Sequence, residues 1–166
     1  VIPLEPLWEQ YKRVIKPHGA IVLTASQPFT SALVMSNVKM FKYEWCWHKS
    51  RVTGVLNAKR QPLRCKEDIL VFSSGSPVYY PQGLQRCNKQ TGTGVSKSGK
   101  QGECTGKITQ TDSGTYTQTT TGYPRNVLEI PSEAKTVHPT QKPVALFEYL
   151  IKTYTNEGDL VLDNCM

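Results

Sequence analysis

Between Thr136 and Asp163 the chain sets out a loop, a helix and a strand in an order that constrains everything before it. Pro143 suits a first helical turn, because its φ is preset and it has no N–H to satisfy there. Apolar side chains then recur at Val144, Phe147, Leu150, Ile151 and Tyr154, a helical spacing that predicts an amphipathic helix laid on a sheet. Asn156-Glu157-Gly158 stops it. Val161 and Leu162 read as a short buried strand, with Asp163 carrying an acid out of its carboxyl end, where open α/β sheets bind ligands.

The preceding chain supplies the partners such a helix needs. Leu4, Leu7, Trp8, Tyr11, Val14 and Ile15 share one helical face, and Pro17-His18-Gly19 ends that helix. Ala20 to Ala25 is a continuous apolar run, which predicts a central strand buried on both faces, and a short helix is expected from about Pro28 to Met35. Phe41, Tyr43, Trp45 and Trp47 alternate with Lys42, Glu44, Cys46 and His48, the period of a strand with one aromatic face. Asp68 to Phe72 reads as a second strand, expected to pair antiparallel with the first at a sheet edge. Arg125 to Ile130 reads as a short strand leading to Pro131. From Ser73 to about Tyr123 the composition shifts to Gly, Ser, Thr and Gln, and stretches such as Thr91–Gly94 and Ser96–Lys100 are expected to be flexible or disordered. A phosphate-cradling loop is excluded there, because the Gly-x-x-x-x-Gly-Lys-Ser/Thr order is absent.

Charge narrows the class of partner. The net charge is +7, and Lys39, Lys42, Lys49, Arg51, Lys59, Arg60, Arg64 and Lys66 fall in one span with only Glu44 among them. That clustering points to a polyanion such as nucleic acid. The five cysteines include no Cys-x-x-Cys pair, so no metal site is expected, and an odd count fits reduced thiols. Cys87 and Cys104 would pair only in an oxidising setting. With no apolar run of membrane-spanning length and no signal peptide at its start, the sequence reads as that of a soluble protein of the cytoplasm.

His138-Pro139-Thr140-Gln141-Lys142-Pro143, the helix after it, and a strand ending in Asp163 resemble the amino-methyltransferases of DNA, which methylate adenine N6 or cytosine N4 with S-adenosyl-methionine. Lys16-Pro17-His18-Gly19, Ala25-Ser26-Gln27-Pro28-Phe29, Trp45-Cys46-Trp47-His48-Lys49 and Arg64 to Phe72 agree with the permuted class, in which the catalytic half precedes the cofactor-binding half. The likeness covers about two thirds of the chain and is strongest to phage and prophage enzymes. Where the family usually has Asp-Pro-Phe after the strand, this chain has Asp163-Asn164-Cys165.

The resemblance implies a Rossmann-like α/β methyltransferase fold, mostly parallel with an antiparallel edge pair, and incomplete in this chain. Residues 1–73 would be the catalytic-half segment, 74–124 a variable target-recognition segment and 125–166 the cofactor-binding segment. It implies S-adenosyl-methionine as cofactor, with His138, Pro139, Thr140, Lys142, Asp163, Asn164 and Cys165 on the cofactor side and Asp163 and Lys142 converging on one pocket. Lys142 or the Thr140 hydroxyl would take the methionine carboxylate. Lys49, Arg51, Lys59, Arg60, Arg64, Arg86 and Lys89 are the expected contacts to double-stranded DNA, with Lys97, Lys100, Lys107 and Arg125 as further cations of the variable segment. Trp45 and Trp47 read as core before they read as base-stacking groups.

The family's Asp-Pro-Pro-Tyr-like tetrapeptide, whose acceptors and ring hold a flipped base, is not in the sequence and would lie upstream of Val1; the Gly-Ser-Gly loop would follow Met166. No catalytic residue is therefore assigned, and this chain by itself is expected to be inactive. Adenine is the expected base, with cytosine second. A homodimer and a restriction endonuclease are further partners the resemblance allows, in a bacterial cytoplasm. The competing reading is a non-catalytic DNA-binding remnant of such an enzyme. An RNA or protein methyltransferase is disfavoured by the His-Pro-Thr-Gln-Lys-Pro segment in this motif order, although fold alone would not separate them.

Overall fold

The computed structural model describes residues 3–92, 115–138 and 140–164. They fall into two compact units, one of Val1–Gln82 with Arg125–Met166 and one of Gly83–Pro124. The first unit holds α1 (Leu4–Val14), β1 (Ile21–Ala25), α2 (Phe29–Ser36), β2 (Phe41–Thr53) and β3 (Arg64–Phe72). The second holds β4 (Gln85–Gly92) and β5 (Thr115–Thr121), and the chain returns to the first for β6 (Val127–Glu129) and α3 (Val144–Tyr154).

In the larger unit the strand order is β1-β3-β2-β6. β3 runs antiparallel to both neighbours, with Ala25 opposite Asp68 and Trp45 opposite Ile69. β6 runs parallel to β2, with His48 opposite Glu129. The antiparallel pair expected around Tyr43 and Val71 is present, in register at those two residues. It forms the middle of this sheet, however, and β1 is the edge, with Val22, Leu23 and Thr24 only half-buried. An apolar run reports that a strand has covered faces; it does not report its place in the sheet. The mostly parallel sheet appears among these strands as a mixed one, with one parallel pairing and two antiparallel.

The period-two alternation of β3 sorts its side chains into two cores. Ile69 and Val71 pack with Trp45, Trp47, Leu128 and the buried face of α3, Leu146, Leu150 and Tyr154. Leu70 and Phe72 pack with Trp8 of α1 and Leu33 of α2 on the opposite face. Each indole finds a partner for its N–H, as burial requires. Trp8 donates to Ser36 Oγ at 2.8 Å, Trp45 to the Tyr154 hydroxyl at 2.7 Å and Trp47 to the Ile130 carbonyl at 2.8 Å. The Tyr154 hydroxyl in turn donates to that of Tyr43, and burial pushes its pKa well above the usual tyrosine range.

α3 ends where the sequence predicts, with Gly158 at a positive φ of 85° and the Asn156 amide bound to Asp159 Oδ2 at 2.8 Å. The strand expected at Val161-Leu162 is not formed. Leu160, Val161 and Leu162 are 91%, 49% and 69% exposed in an irregular segment. So short an apolar run becomes a strand only against a neighbouring edge, and no described strand pairs with it.

The smaller unit also departs from expectation. β4 and β5 form an antiparallel ribbon, with Gln85 opposite Thr121 and Lys89 opposite Gln118. Its base is drawn tight at Gly122, where a Cβ would stand 2.5 Å from the Gly83 carbonyl. Thr115 to Thr121 lacks an apolar stripe but is rich in β-branched threonine, which favours extended backbone. Of the stretches expected to be disordered, Thr91 and Gly92 are in β4. Residues 93–114, with Lys97, Lys100, Cys104 and Lys107, lie outside the described residues.

Candidate functional site

The carboxyl ends of β1, β2 and β6 meet the start of β3, and there two consecutive acids point to opposite faces. Asp68, 4% exposed, lies opposite Ala25 and Cys46. It accepts a hydrogen bond of 2.9 Å from Thr30 Oγ1 in the first turn of α2 and pairs with Lys66 Nζ at 2.9 Å. That bond to Asp68 raises the Lys66 pKa. Burial pushes the Cys46 thiol up, against the opposing pull of Lys66, so this cysteine is not poised as a thiolate nucleophile.

Glu67 faces the α3 side and is shared by two lysines. Its Oε1 lies 3.1 Å from Lys49 Nζ and its Oε2 3.0 Å from Lys142 Nζ, with side-chain exposures of 18%, 11% and 18% respectively. Partly withdrawn from water, both contacts are less screened than surface ion pairs. They tie β2, β3 and the loop ahead of α3 together at one point. Lys142 also donates to the Thr140 carbonyl at 3.2 Å.

The loop is closed on itself. His138 Nδ1 accepts from the Thr140 amide at 3.2 Å and lies 2.7 Å from Thr140 Oγ1. Because the amide can only donate, Nδ1 is the acceptor in this contact, which leaves Nε2 outside the loop's own bonds. The Gln141 amide bonds the His138 carbonyl, and Gln141 Oε1 accepts from the Val137 amide. His138, Thr140 and Lys142 are thus brought together, while Pro139 and Cys165 lie outside the described residues.

Asp163 is exposed in the irregular segment after Gly158, beside Asn164. Asn164 Nδ2 donates to the Tyr11 hydroxyl at 3.0 Å. Tyr11 packs edge-on against Trp8, whose ring lies 4.8 Å from that of Phe72. Phe72 and Glu67 stand five residues apart on β3, roughly 17 Å along an extended strand.

Of the expected DNA contacts, Lys49 is committed to Glu67 rather than presented to solvent. Arg51, Lys59, Arg60 and Arg64 are exposed around the turn joining β2 to β3, and Arg51 reaches the Ala134 carbonyl at 3.4 Å. Arg86 and Lys89 are exposed on β4 of the smaller unit. Sequence reasoning missed Glu67, Asp68 and Thr30. The signal was present: adjacent acids interrupting a basic stretch immediately before a buried run have to be partnered. Among the described residues no three His, Cys, Asp or Glu side chains group to hold a metal, and no helix is long and apolar enough to cross a membrane.

A family model described as DNA methylase matches residues 3–165. The type II methyltransferase M.HpaI of Haemophilus parainfluenzae is 27% identical over 164 residues, an alignment covering 93% of this chain and 45% of that protein. The chain thus spans less than half the length of that relative. The crystal structure of the M1.HpyAVI–SAM complex superposes with a TM-score of 0.56 at 21% identity, covering 94% of this chain and 62% of that one. At that identity the likeness shows the fold.

Proposed function

Since this chain belongs to the DNA methylase family, we propose that it forms part of an S-adenosyl-methionine-dependent enzyme that methylates an exocyclic amino group in double-stranded DNA, adenine first and cytosine second. The observation that carries this reading is the His138–Lys142 loop, tied to Glu67 at the end of the sheet where β1, β2 and β6, which run in one direction, finish beside a basic hairpin. Ligands of α/β sheets bind at that end. The SAM complex of M1.HpyAVI, on the same fold, supports the choice of cofactor.

The residues present fit the methionine end of such a cofactor. Lys142 spends two of its three ammonium hydrogens on Glu67 and Thr140, and the third suits a ligand carboxylate. Its charge remains in place because Glu67 is already shared with Lys49. With Nδ1 taken up by Thr140, His138 Nε2 would serve as a second donor to the ligand. When bound, the cofactor supplies an electrophilic methyl group. The amino nitrogen that receives it is a weak nucleophile, its lone pair drawn into the ring, so the protein's task is alignment and acceptance of the amino hydrogens. The sequence contains no Asp-Pro-Pro-Tyr-like acceptor run. We therefore assign to this chain cofactor placement and DNA contact, and no acceptor of the amino protons. Arg51, Lys59, Arg60 and Arg64, with Arg86 and Lys89 of the ribbon, would bind phosphates and position without specifying. The setting is a bacterial cytoplasm.

Sequencing of modified bases in DNA from cells expressing the complete gene product tests the reading, since it reports base and site together. We expect N6-methyladenine at a defined sequence, and no methyl transfer from the purified 166-residue chain. DNA without modified bases, from cells in which the protein accumulates folded, would leave the DNA-binding remnant as the better account.

A further inference from the structure

The turn between β2 and β3 carries an apolar point that packing does not explain. Leu56 is 101% exposed, and Val55 beside it is 64% exposed. Neither is on a loose loop. Gly54 takes a positive φ of 86°, which favours glycine, and starts a one-turn 3-10 helix over Val55–Asn57. Backbone bonds from Asn57 to Gly54, Ala58 to Val55 and Arg60 to Asn57, at 2.8–3.1 Å, continue it. The tip is therefore a braced knob that holds Leu56 outward.

Its placement and surroundings select the partner. β1 stops at Ala25 opposite Asp68, so β3 overhangs that edge by the four residues Arg64–Glu67, roughly 13 Å. The overhang is at the carboxyl end of the sheet, the end that carries the His138–Lys142 loop. Between Arg51 and Arg64 there are four cations and no acid. An apolar point with exposed cations before and after it along the turn matches the wedges that DNA-bending and base-extruding proteins insert between base steps while arginine and lysine hold the flanking phosphates.

We infer that the β2–β3 tip is a duplex-DNA wedge, in which Leu56 enters the base stack and Lys59, Arg60 and Arg64 grip the backbone on either side. This rests on the DNA reading above and adds to it a residue that touches bases rather than phosphates. It gives the exposed leucine a purpose that cation contacts alone do not.

The native tryptophans make the test direct. Trp8, Trp45 and Trp47 are 3–4% exposed, so Leu56→Trp introduces the one indole that a soluble quencher reaches readily. The probe is a mixed-sequence duplex at low salt, with acrylamide quenching of the Leu56→Trp protein read before and after saturation. We expect quenching of the new indole to fall severalfold on duplex. Arg60→Ala should weaken duplex binding and reduce its dependence on log salt by about one unit, whereas Leu56→Ala weakens binding without changing that slope. A saturated complex whose indole is still fully quenchable overturns the wedge and leaves the DNA reading standing. Absence of duplex binding by the unaltered protein removes both. Protection on anionic lipid vesicles, or with protein concentration alone, and not on duplex, assigns the tip to a membrane or a second copy and overturns the proposal.

Discussion

β2 and β3 form one ladder in two environments. Along the inner part, Ile69, Leu70, Val71 and Phe72 are each 0% exposed, covered by α3 on one face and by α1 and α2 on the other. Along the outer part, among the described residues, exposed cations and exposed Val52, Val55, Leu56 and Leu63 stand where the inner part has buried apolar side chains. Glu67 and Asp68 mark the seam, each fastening a neighbouring element to the last covered position. The same backbone geometry thus serves cohesion at one end and contact at the other.

The inner half should answer most strongly to truncation. Phe72 lies 4.8 Å from the ring of Trp8 and 5.6 Å from that of Phe41, centroid to centroid, in the α1 and α2 core. Phe72→Ala removes a buried ring from a packed site and should cost about 3–5 kcal/mol in urea or thermal unfolding. A loss below about 1 kcal/mol would mean that this core is loosely packed and that the contrast between the halves is overdrawn.

At the seam the expected effect is intermediate and local. Glu67→Gln leaves Lys49 and Lys142 facing each other with reduced access to water and no shared counter-charge. Complete burial would make such a loss severe, but side-chain exposures of 11% and 18% allow some solvent relief, so about 1–2 kcal/mol is expected. The loop should feel it first, with faster amide exchange at Thr140 and Gln141 than in α3. A second change, Lys142→Met, should restore most of the stability but not the cofactor affinity. Unchanged exchange at the loop would show that its internal bonds, rather than Glu67, hold it.

How far these regions were legible in the sequence follows from what sets them. The aromatic alternation in β2 and the apolar run in β3 are local patterns, and both strands, their antiparallel pairing and the burial of Trp45 and Trp47 follow from them. The helix after Pro143 is legible for the same reason. β1 at the edge is not, because sheet order is decided by which strands compete for β3, a tertiary outcome. Val161-Leu162 is apolar enough for a strand, but so short a run becomes one only against a partner edge, and no described strand pairs with it. The β4–β5 ribbon was missed because threonine alternation carries extended preference without the apolar contrast that signals a strand. The clamp at Glu67 joins residues 18 and 75 positions away, Lys49 and Lys142, and no spacing rule reaches that far.

The smallest effect belongs to the tip, and its smallness is the point. Burying a leucine is worth about 1.5–3 kcal/mol, but Leu56 at 101% exposure has gained none of that in the folded chain. Leu56→Ala should therefore change unfolding free energy by no more than about 0.5 kcal/mol, and the direction is set by backbone preference in the short turn rather than by lost contacts. Paired with weakened duplex binding, that near-zero value separates a side chain kept for contact from one kept for cohesion. Should Leu56→Ala instead destabilise by as much as Glu67→Gln, the tip would have to be packed in solution against something else. The outer half of the ladder would then be a second, concealed core.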